Sequence, residues 1–263
     1  MKPLAIDMFC GLGGWTDGLM AEGYRTVGFD IERHQYSENR YPAQLVLQDV
    51  LTIHGSQFRN ASLIVASPPC QQYSWLAMPW SGSVDWVRPS GDGWEVLNSA
   101  AAKELREQWE REGPDNRLFE ACFRIQREAC EAAGRYIPMV VENVRGAQEW
   151  IGAVFHGLDA WMAATREERW RMGRSVWNYG SFHLWGDVPA LMPLRVSGVK
   201  VSGGTGGWFG DYKTREGRGL SKISGNSSKS PARKAASAMI AKIPFELSSH
   251  IARVYRPKEA AAA

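Results

Sequence analysis

Five short apolar runs, each bounded by turn residues, are the feature that most constrains the fold. They are LAIDMF (4–9), YRTVGFD (24–30), QLVLQD (44–49), SLIVAS (62–67) and PMVVENV (138–144). Their length and composition predict β-strands. Between them TDGLMAEG (16–23) and NRLFEACFRIQREACEAAGR (116–135) show helical patterns. This alternation predicts an α/β, Rossmann-like, doubly wound and mostly parallel sheet, in which ligands bind beyond the carboxyl ends of the strands.

Length and composition predict one large domain, or a domain with a small appendage. The 263 residues are 44% hydrophobic, which suffices for a sizeable core. No run of about 18 apolar residues suggests a membrane span, and the N-terminus lacks a signal-peptide cleavage pattern. We therefore expect a cytoplasmic protein without a membrane partner. The four cysteines form no CxxC pair and have no histidine cluster nearby, which argues against both a metal site and a disulfide framework.

The chain changes character twice. Residues 75–113 are rich in Gly, Pro, Ser and Trp before a helix-like run, EVLNSAAAKELREQWERE (95–112), and indicate a long insertion. We predict a catalytic domain over 1–186 that contains this insertion, a small basic recognition region over 187–224, and C-terminal helices over 225–263 that pack back on the domain.

The segment 213–234 is strongly basic, with Glu216 as its only acidic residue. One interpretation is a solvated loop. The other is a surface that binds nucleic-acid phosphates, since each neutralised phosphate releases counterions. The net charge of +3 permits nucleic-acid binding without requiring it.

The sequence DMFCGLGGW (7–15) predicts a strand, a glycine turn and the start of a helix. The turn glycines permit positive φ and close approach of a ligand, although a purely structural turn is the alternative. A dinucleotide site would need its third glycine where Thr16 stands, so a nicotinamide cofactor is disfavoured. Asp30 and Asp49 end the next two strands. Together these features predict a site for an adenosyl group without a pyrophosphate.

Cys70 follows two prolines at the end of the fourth strand, in SPPCQQYS (67–74). The prolines restrict the backbone, and the polar residues after the thiol indicate a loop near solvent; the alternative is an inert buried thiol. Glu142 and Asn143 end the fifth strand, and we expect them at the same sheet edge. Glu142 is a candidate general acid, or alternatively a cap for the next helix.

Together, DMFCGLGGW, SPPCQQYS and VVENVRG resemble the first, catalytic PCQ and ENV motifs of the cytosine-5 DNA methyltransferases. GFDIERHQYSENRYP and QDVL are similar to the second and third motifs, so the resemblance covers roughly residues 4–146 in the family's order. The resemblance implies methyl transfer from S-adenosyl-L-methionine to C5 of a flipped-out cytosine in double-stranded DNA, in a chain we expect to be monomeric. A role in restriction-modification, in a bacterial cell or encoded by a phage, is a further hypothesis.

The resemblance also assigns site residues. Cys70 would attack C6 of the base, Glu142 would support charge at N3, and Asn143 would place the turn and the base. The implied cofactor-binding residues are Asp7, Phe9, Gly11, Leu12, Gly13, Gly14, Asp30, Ile31, Asp49, Pro69 and Asn226. The predicted DNA-binding residues are Gln71, Ser74, Arg145, Lys213, Arg215, Lys229 and Arg233.

The chain departs from the family after the ENV motif. The family's QxRxR motif is missing, and NYGSFHLWGDVP (178–189) stands in its place. Arg145, Arg174 and His183 are therefore candidate partners for the cytosine carbonyl. We infer that DNA sequence recognition has moved partly into the 75–113 insertion, or that specificity is short and relaxed.

Three alternative functions stay open at this point. The first is an RNA cytosine-5 methyltransferase that acts on transfer RNA. The second is a catalytically silent DNA-binding accessory protein, suggested by the missing arginine motif. The third is an altered donor whose extra carboxylate would meet Lys229 and Arg233.

Overall fold

A computed structural model describes residues 2–70, 73, 87–90, 93–96, 115–193, 234–235, 238–239 and 241–257. The chain divides into two compact units. The first comprises Met1–Pro68, Ala121–Glu142 and Val176–Ala263, and the second comprises Pro69–Glu120 and Asn143–Ser175.

A seven-stranded sheet is the centre of the first unit. All five predicted strands are present, at β1 (Leu4–Met8), β2 (Arg25–Asp30), β5 (Gln44–Leu47), β6 (Ala61–Ala66) and β9 (Met139–Asn143). They pair in parallel in the order β9-β6-β1-β2-β5. The predicted α/β fold with a mostly parallel sheet is thus confirmed.

Three hairpins in the described ranges were not predicted, and two of them lie in the first unit. The strands β10 (Trp177–Tyr179) and β11 (Phe182–Gly186) pair antiparallel and extend the sheet beyond β9. A second hairpin, β3 (Gln35–Tyr36) with β4 (Asn39–Arg40), lies between β2 and β5. This second hairpin leads the chain back toward β2, next to the candidate site described below.

Helices α1 (Gly14–Ala21) and α6 (Phe245–Tyr255) pack together against one face of the sheet. Their core contacts include Leu19 and Leu247, and neither side chain is exposed. The helices approach closely at Gly18, where a Cβ atom would overlap the backbone of Ser249. A larger residue at this position would force the two helices apart.

The opposite face of the sheet is buried as well. Successive residues of a strand point to opposite faces, and the fully buried Ile64 and Met139 alternate with Leu63 and Val140 of the core described above. The predicted second helix is α2 (Arg117–Ala133). Strands buried on both faces are typical of parallel sheets covered by helices.

The second unit contains a 3-10 helix, Arg145–Glu149, and three short helices, α3 (Gly152–His156), α4 (Leu158–Ala163) and α5 (Arg166–Met172). Trp161 is fully buried there, and its indole N–H donates to the Glu149 carbonyl at 2.7 Å. The Arg169 guanidinium lies 4.0 Å from the Trp161 ring centroid, a cation–π contact that ties α5 to α4.

The helix predicted over 95–112 is wrong at its start. Glu95 and Val96 belong to strand β8 (Gly93–Val96), which pairs antiparallel with β7 (Val87–Ser90). Turn residues in the intervening loop favour a hairpin here over the helical pattern. The rest of the predicted helix, and most of the 75–113 insertion, lie outside the described residues.

The recognition region predicted over 187–224 is described only as far as residue 193. In the described ranges, no helix has the length and apolar character needed to span a bilayer.

Candidate functional site

The glycine turn follows β1 and leads into α1. Phe9, Gly11 and Gly13 have φ angles of 57°, 48° and 78°, and the Gly13 N–H donates to the Cys10 carbonyl at 2.7 Å. Positive φ in a non-glycine residue such as Phe9 costs about 1–2 kcal/mol. Strain of this kind is concentrated at ligand sites.

Asp30, at the end of the neighbouring strand β2, is bonded directly to this turn. Its Oδ2 accepts from the Gly11 N–H at 2.9 Å, and its Oδ1 accepts from the Glu32 N–H at 3.3 Å. His34 Nε2 lies 3.5 Å from Oδ1. Burial acts to raise the pKa of Asp30, but hydrogen bonds from His34 and Gly11 outweigh it and lower the pKa. The turn therefore faces an ionised carboxylate that is fixed in place.

The three glycines of the turn have different roles. A Cβ atom on Gly11 would meet no described atom within 4 Å, so its backbone borders open space. On Gly13 it would press on Pro42, and on Gly14 it would overlap the backbone of Ile243. Packing therefore requires glycine at positions 13 and 14, whereas no described atom obstructs the approach of a ligand to Gly11.

The surroundings of Gly11 fit an adenosyl group. Ile31 exposes 73% of its surface directly after Asp30, and Phe9 is half-buried beside the turn. An exposed apolar side chain next to a fixed carboxylate offers one surface for a base and one acceptor for ribose hydroxyls. The residues present thus fit the cofactor that the resemblance implies.

Three other predicted cofactor residues lie in the described part of the chain. Asp49 Oδ1 accepts from the Leu51 N–H at 2.9 Å and caps the 3-10 helix Val50–Thr52. Leu12 is buried, with 5% of its surface exposed. Pro69 belongs to the second unit.

Asp7 is a buried carboxyl group directly behind the turn. None of its surface is exposed, and its Oδ2 accepts from Thr16 Oγ1 at 2.7 Å. Its Oδ1 has no hydrogen-bond partner within the described part of the chain. Burial raises the pKa of Asp7 well above its usual value; the hydrogen bond from Thr16 opposes this rise, and the charge of Asp30 adds to it.

The raised pKa of Asp7 predicts a pH dependence of stability. A carboxyl group whose pKa is raised by folding stabilises the folded state fully below its unfolded pKa, near 3.8, and this contribution is lost as the pH rises through the folded pKa. We expect Asp7→Asn to remove this negative slope, which amounts to at most about 1.4 kcal/mol per pH unit. Urea unfolding between pH 5 and 8 measures it.

A control for that experiment is Asp159→Asn, which removes an exposed carboxylate in α4 of the second unit. The control should keep the wild-type slope at pH 5–8. An unchanged slope in Asp7→Asn would contradict the raised pKa of the buried Asp7 carboxyl group.

Burial distinguishes the four thiols. It raises the pKa of Cys10 and of Cys122, so neither supplies a thiolate. Cys130 accepts from the Ile137 N–H at 3.2 Å. Cys70 is half-buried at the start of the second unit, so the interpretation of Cys70 as a fully buried thiol is wrong.

Tyr73 is hydrogen-bonded to both Cys70 and Asn116. The Tyr73 N–H donates to the Cys70 carbonyl at 2.9 Å. The Tyr73 hydroxyl donates to Asn116 Oδ1 at 2.7 Å, and both side chains are buried. Within the second unit, Tyr73 therefore links the Cys70 carbonyl to Asn116.

Glu142 and Asn143 end β9 with 3% and 1% of their surfaces exposed. The 3-10 helix that follows has Val144 at its N-cap and no side-chain cap among the described residues. The alternative role of Glu142 as a cap for this helix stays a prediction, as does its role as general acid.

Few of the predicted DNA-binding residues lie in the described ranges. The Arg145 guanidinium is exposed and lies 5.7 Å from the Trp170 ring centroid. Of the other candidates for the cytosine carbonyl, His183 is buried and Arg174 is exposed. The following predicted residues lie outside the described part: Gln71, Ser74, Lys213, Arg215, Asn226, Lys229 and Arg233.

Sequence patterns did not identify His34, Thr16 or Tyr41 as partners of the site. His34 follows Asp30 by four residues in DIERH, a spacing that could have suggested the ion pair. From the sequence, Thr16 was noted only as the residue that stands where a dinucleotide site would have its third glycine. Tyr41 lies 25 residues from Thr16, its contact in the fold, and no local pattern indicates that pairing.

Three solved structures resemble the chain at TM-scores of 0.33 to 0.34, each over 65% of its residues. They are an E. coli protein described as a DNA modification methyltransferase encoded within a prophage (18% identity), DNMT2 of Spodoptera frugiperda (14%) and the Entamoeba histolytica methyltransferase EhMeth (16%). The chain covers only 37%, 41% and 43% of their respective lengths.

A search of the curated proteins found no match to the chain. A protein-family model does match it, over residues 4–77, and its description is C-5 cytosine-specific DNA methylase. The matched residues include the glycine turn, Asp30 and Cys70. The resemblance predicted from the motifs is therefore confirmed for residues 4–77, which match the model of that family.

Proposed function

We propose that the protein transfers a methyl group from S-adenosyl-L-methionine to C5 of a cytosine in double-stranded DNA. The observation that carries the proposal is the hydrogen bond from the Gly11 N–H to the Asp30 carboxylate, inside the segment that matches the family model. This bond joins the open turn to an ionised acceptor. The same matched segment contains Cys70, the half-buried thiol.

The cofactor would be held by the first unit. Asp30 would accept from the ribose hydroxyls, Ile31 and Phe9 would contact the adenine, and the open backbone at Gly11 would admit the methionine portion. When bound, S-adenosylmethionine supplies an electrophilic methyl group on a positively charged sulfur. Asp49, which already caps a short helix, would use its remaining oxygen for the adenine amine.

Cytosine C5 is a poor nucleophile until the aromatic ring is broken. The Cys70 thiolate would form a bond to C6, and Glu142 would protonate N3 as the electrons move into the ring. C5 would then have enamine character and would bond to the methyl carbon as the bond from that carbon to the sulfonium sulfur breaks, with S-adenosylhomocysteine as the leaving group. Loss of the C5 proton to solvent would re-form the C5–C6 double bond and break the C6–S bond, so that the Cys70 thiolate is released. N3 would return its proton to Glu142, which restores the aromatic ring.

A base inside a duplex cannot be attacked at C6, so the cytosine must leave the stack at a cost of about a few kcal/mol. We assign the extrusion of the cytosine from the duplex to the 75–113 insertion and to the basic recognition region over 187–224.

The C-terminal helices over 225–263 would complete the catalytic domain. The protein would act as a monomer in the cytoplasm, in restriction-modification or phage protection.

The test is transfer of a labelled methyl group from S-adenosylmethionine to duplex DNA, with transfer RNA as the parallel substrate. We expect label in DNA as 5-methylcytosine, identified by mass spectrometry of the nucleosides. If only transfer RNA is labelled, the substrate is RNA and the proposed DNA substrate is wrong. No transfer to either, with intact binding of the cofactor, would contradict the enzymatic function.

A second prediction concerns Asp30. Replacement by alanine removes an ionised acceptor, and hydrogen bonds to charged groups contribute about 1.5–3 kcal/mol. We therefore expect Asp30→Ala to weaken S-adenosylhomocysteine binding by about 10- to 100-fold in isothermal titration calorimetry. The control, Asp17→Ala, removes a half-exposed carboxylate on α1 and should retain wild-type affinity; equal losses in both variants would contradict the assignment.

A further inference from the structure

A chain of buried hydroxyl groups lies directly behind the glycine turn. The Tyr41 hydroxyl is 2.6 Å from Thr16 Oγ1, and Thr16 donates to Asp7 Oδ2 at 2.7 Å. Since Thr16 has a single hydroxyl proton and gives it to Asp7, Tyr41 is the donor to Thr16. Burial raises the pKa of Tyr41, which keeps this donor protonated. We call these three residues the Tyr41–Thr16–Asp7 chain.

The Tyr41 ring is fixed by two glycines. A Cβ atom on Gly28, in β2, would overlap the ring, and one on Gly13 would meet the ring at 3.1 Å. Gly28 is also the register partner of Asp7 in the sheet. Tyr41 is 7% exposed, so its ring fills the space between the sheet and the turn, and its hydroxyl has little freedom to move.

The turn needs support of this kind. Phe9 adopts positive φ, and such a conformation in a non-glycine residue persists only where the surrounding structure determines it. The N-cap residue of helix α1 is Gly13, which has no side chain to cap the helix. Thr16, in the first turn of the helix, instead ties the start of α1 to β1 through Asp7 and to the 33–42 segment through Tyr41.

We propose that Tyr41 is a positioning residue for cofactor binding. By fixing Thr16 and Asp7, its hydroxyl holds the end of β1 and the start of α1 at the separation that directs the Gly11 N–H to Asp30 and keeps the turn open. The identity of the ligand rests on the proposed function. The claim that Tyr41 fixes the turn does not rest on the proposed function, and it can be measured without any ligand.

The decisive variant is Tyr41→Phe, which removes the hydroxyl and leaves the ring against Gly28. Its matched control is Tyr24→Phe. Tyr24 is 2% exposed in the same unit, and its hydroxyl donates to the Ala252 carbonyl at 3.0 Å. Each variant therefore loses one hydrogen bond from a buried tyrosine, but only Tyr41 contacts the turn.

Two measurements are made on both variants: amide hydrogen exchange of residues 9–16 without ligand, and S-adenosylhomocysteine affinity by calorimetry. We expect Tyr41→Phe to speed the exchange and to raise Kd about three- to tenfold. Tyr24→Phe should leave both at wild-type values. Unchanged exchange or unchanged affinity in Tyr41→Phe overturns the proposal, as does an equal rise in Kd in the control.

Thr16 provides an independent check. Thr16→Val interrupts the chain and should raise Kd to a similar extent, whereas Thr16→Ser keeps the hydroxyl and should retain wild-type affinity. Equal affinities for these two variants would also overturn the proposal. If the wild-type protein binds no S-adenosylhomocysteine, the proposed function fails instead, and the exchange of residues 9–16 alone decides whether Tyr41 fixes the turn.

Discussion

Replacing Cys70 by serine is expected to reduce methyl transfer by at least about 10³-fold. A serine hydroxyl is far less acidic than a thiol, so it cannot supply the anion that attacks C6 at neutral pH. Cofactor affinity should be unchanged, since the Gly11–Asp30 contact does not involve position 70. Single-turnover transfer to duplex DNA and calorimetry with S-adenosylhomocysteine measure the two effects separately.

Cys130→Ser is the matched control, because Cys130 is also half-buried and its sulfur accepts a hydrogen bond from Ile137. It should keep the wild-type rate. DNA containing 5-fluorocytosine adds a direct test, since the wild-type protein should form an adduct stable to denaturation and Cys70→Ser should not. A Cys70→Ser protein that retains a tenth of the wild-type rate would rule out the proposed nucleophile.

The second large effect is expected for Glu142→Gln. The amide matches the carboxyl group in size but cannot deliver a proton to N3 of the base. General acid catalysis contributes about 10²- to 10⁴-fold, and we expect a loss in this range. Because Glu142 is 3% exposed at the end of β9, the substitution tests proton transfer with little change of shape, provided that cofactor affinity and melting temperature are measured alongside the rate.

A suitable control is Glu149→Gln, which neutralises another buried carboxylate. Glu149 is 9% exposed and pairs with Arg166 at 3.1 Å. This variant should lose stability and keep its rate per folded molecule. Equal rate losses in the two variants would show that buried charge in general, rather than proton donation by Glu142, sustains activity.

Five of the seven strands of the sheet could be predicted from sequence because each is a short apolar run that ends in a turn. The three short helices of the second unit could not, since α3, α4 and α5 have only five to seven residues. This is too short for helical periodicity to show. The β10–β11 hairpin was not predicted either, because the three residues of β10 are too few to show the alternating pattern of a strand.

The candidate site was predictable only in part. The glycine turn, Asp30, Cys70 and Glu142 all occur in local motifs. The motif does not show which of its glycines borders open space. That difference appears only in the fold, where Gly13 packs against Pro42 and Gly14 against Ile243. Contacts of this kind depend on distant segments returning to the turn.

The packing of α6 on α1 has a consequence for biosynthesis. Tyr24, just after α1, bonds to Ala252 across 228 positions of the chain, and Leu19 shares a core with Leu247. At about 5–20 residues per second, a ribosome needs roughly 10 to 50 s to deliver the covering helix. Throughout that interval the α1 segment of the nascent polypeptide exposes to water the apolar side chains that α6 later covers, such as Leu19, and is a natural target for chaperones.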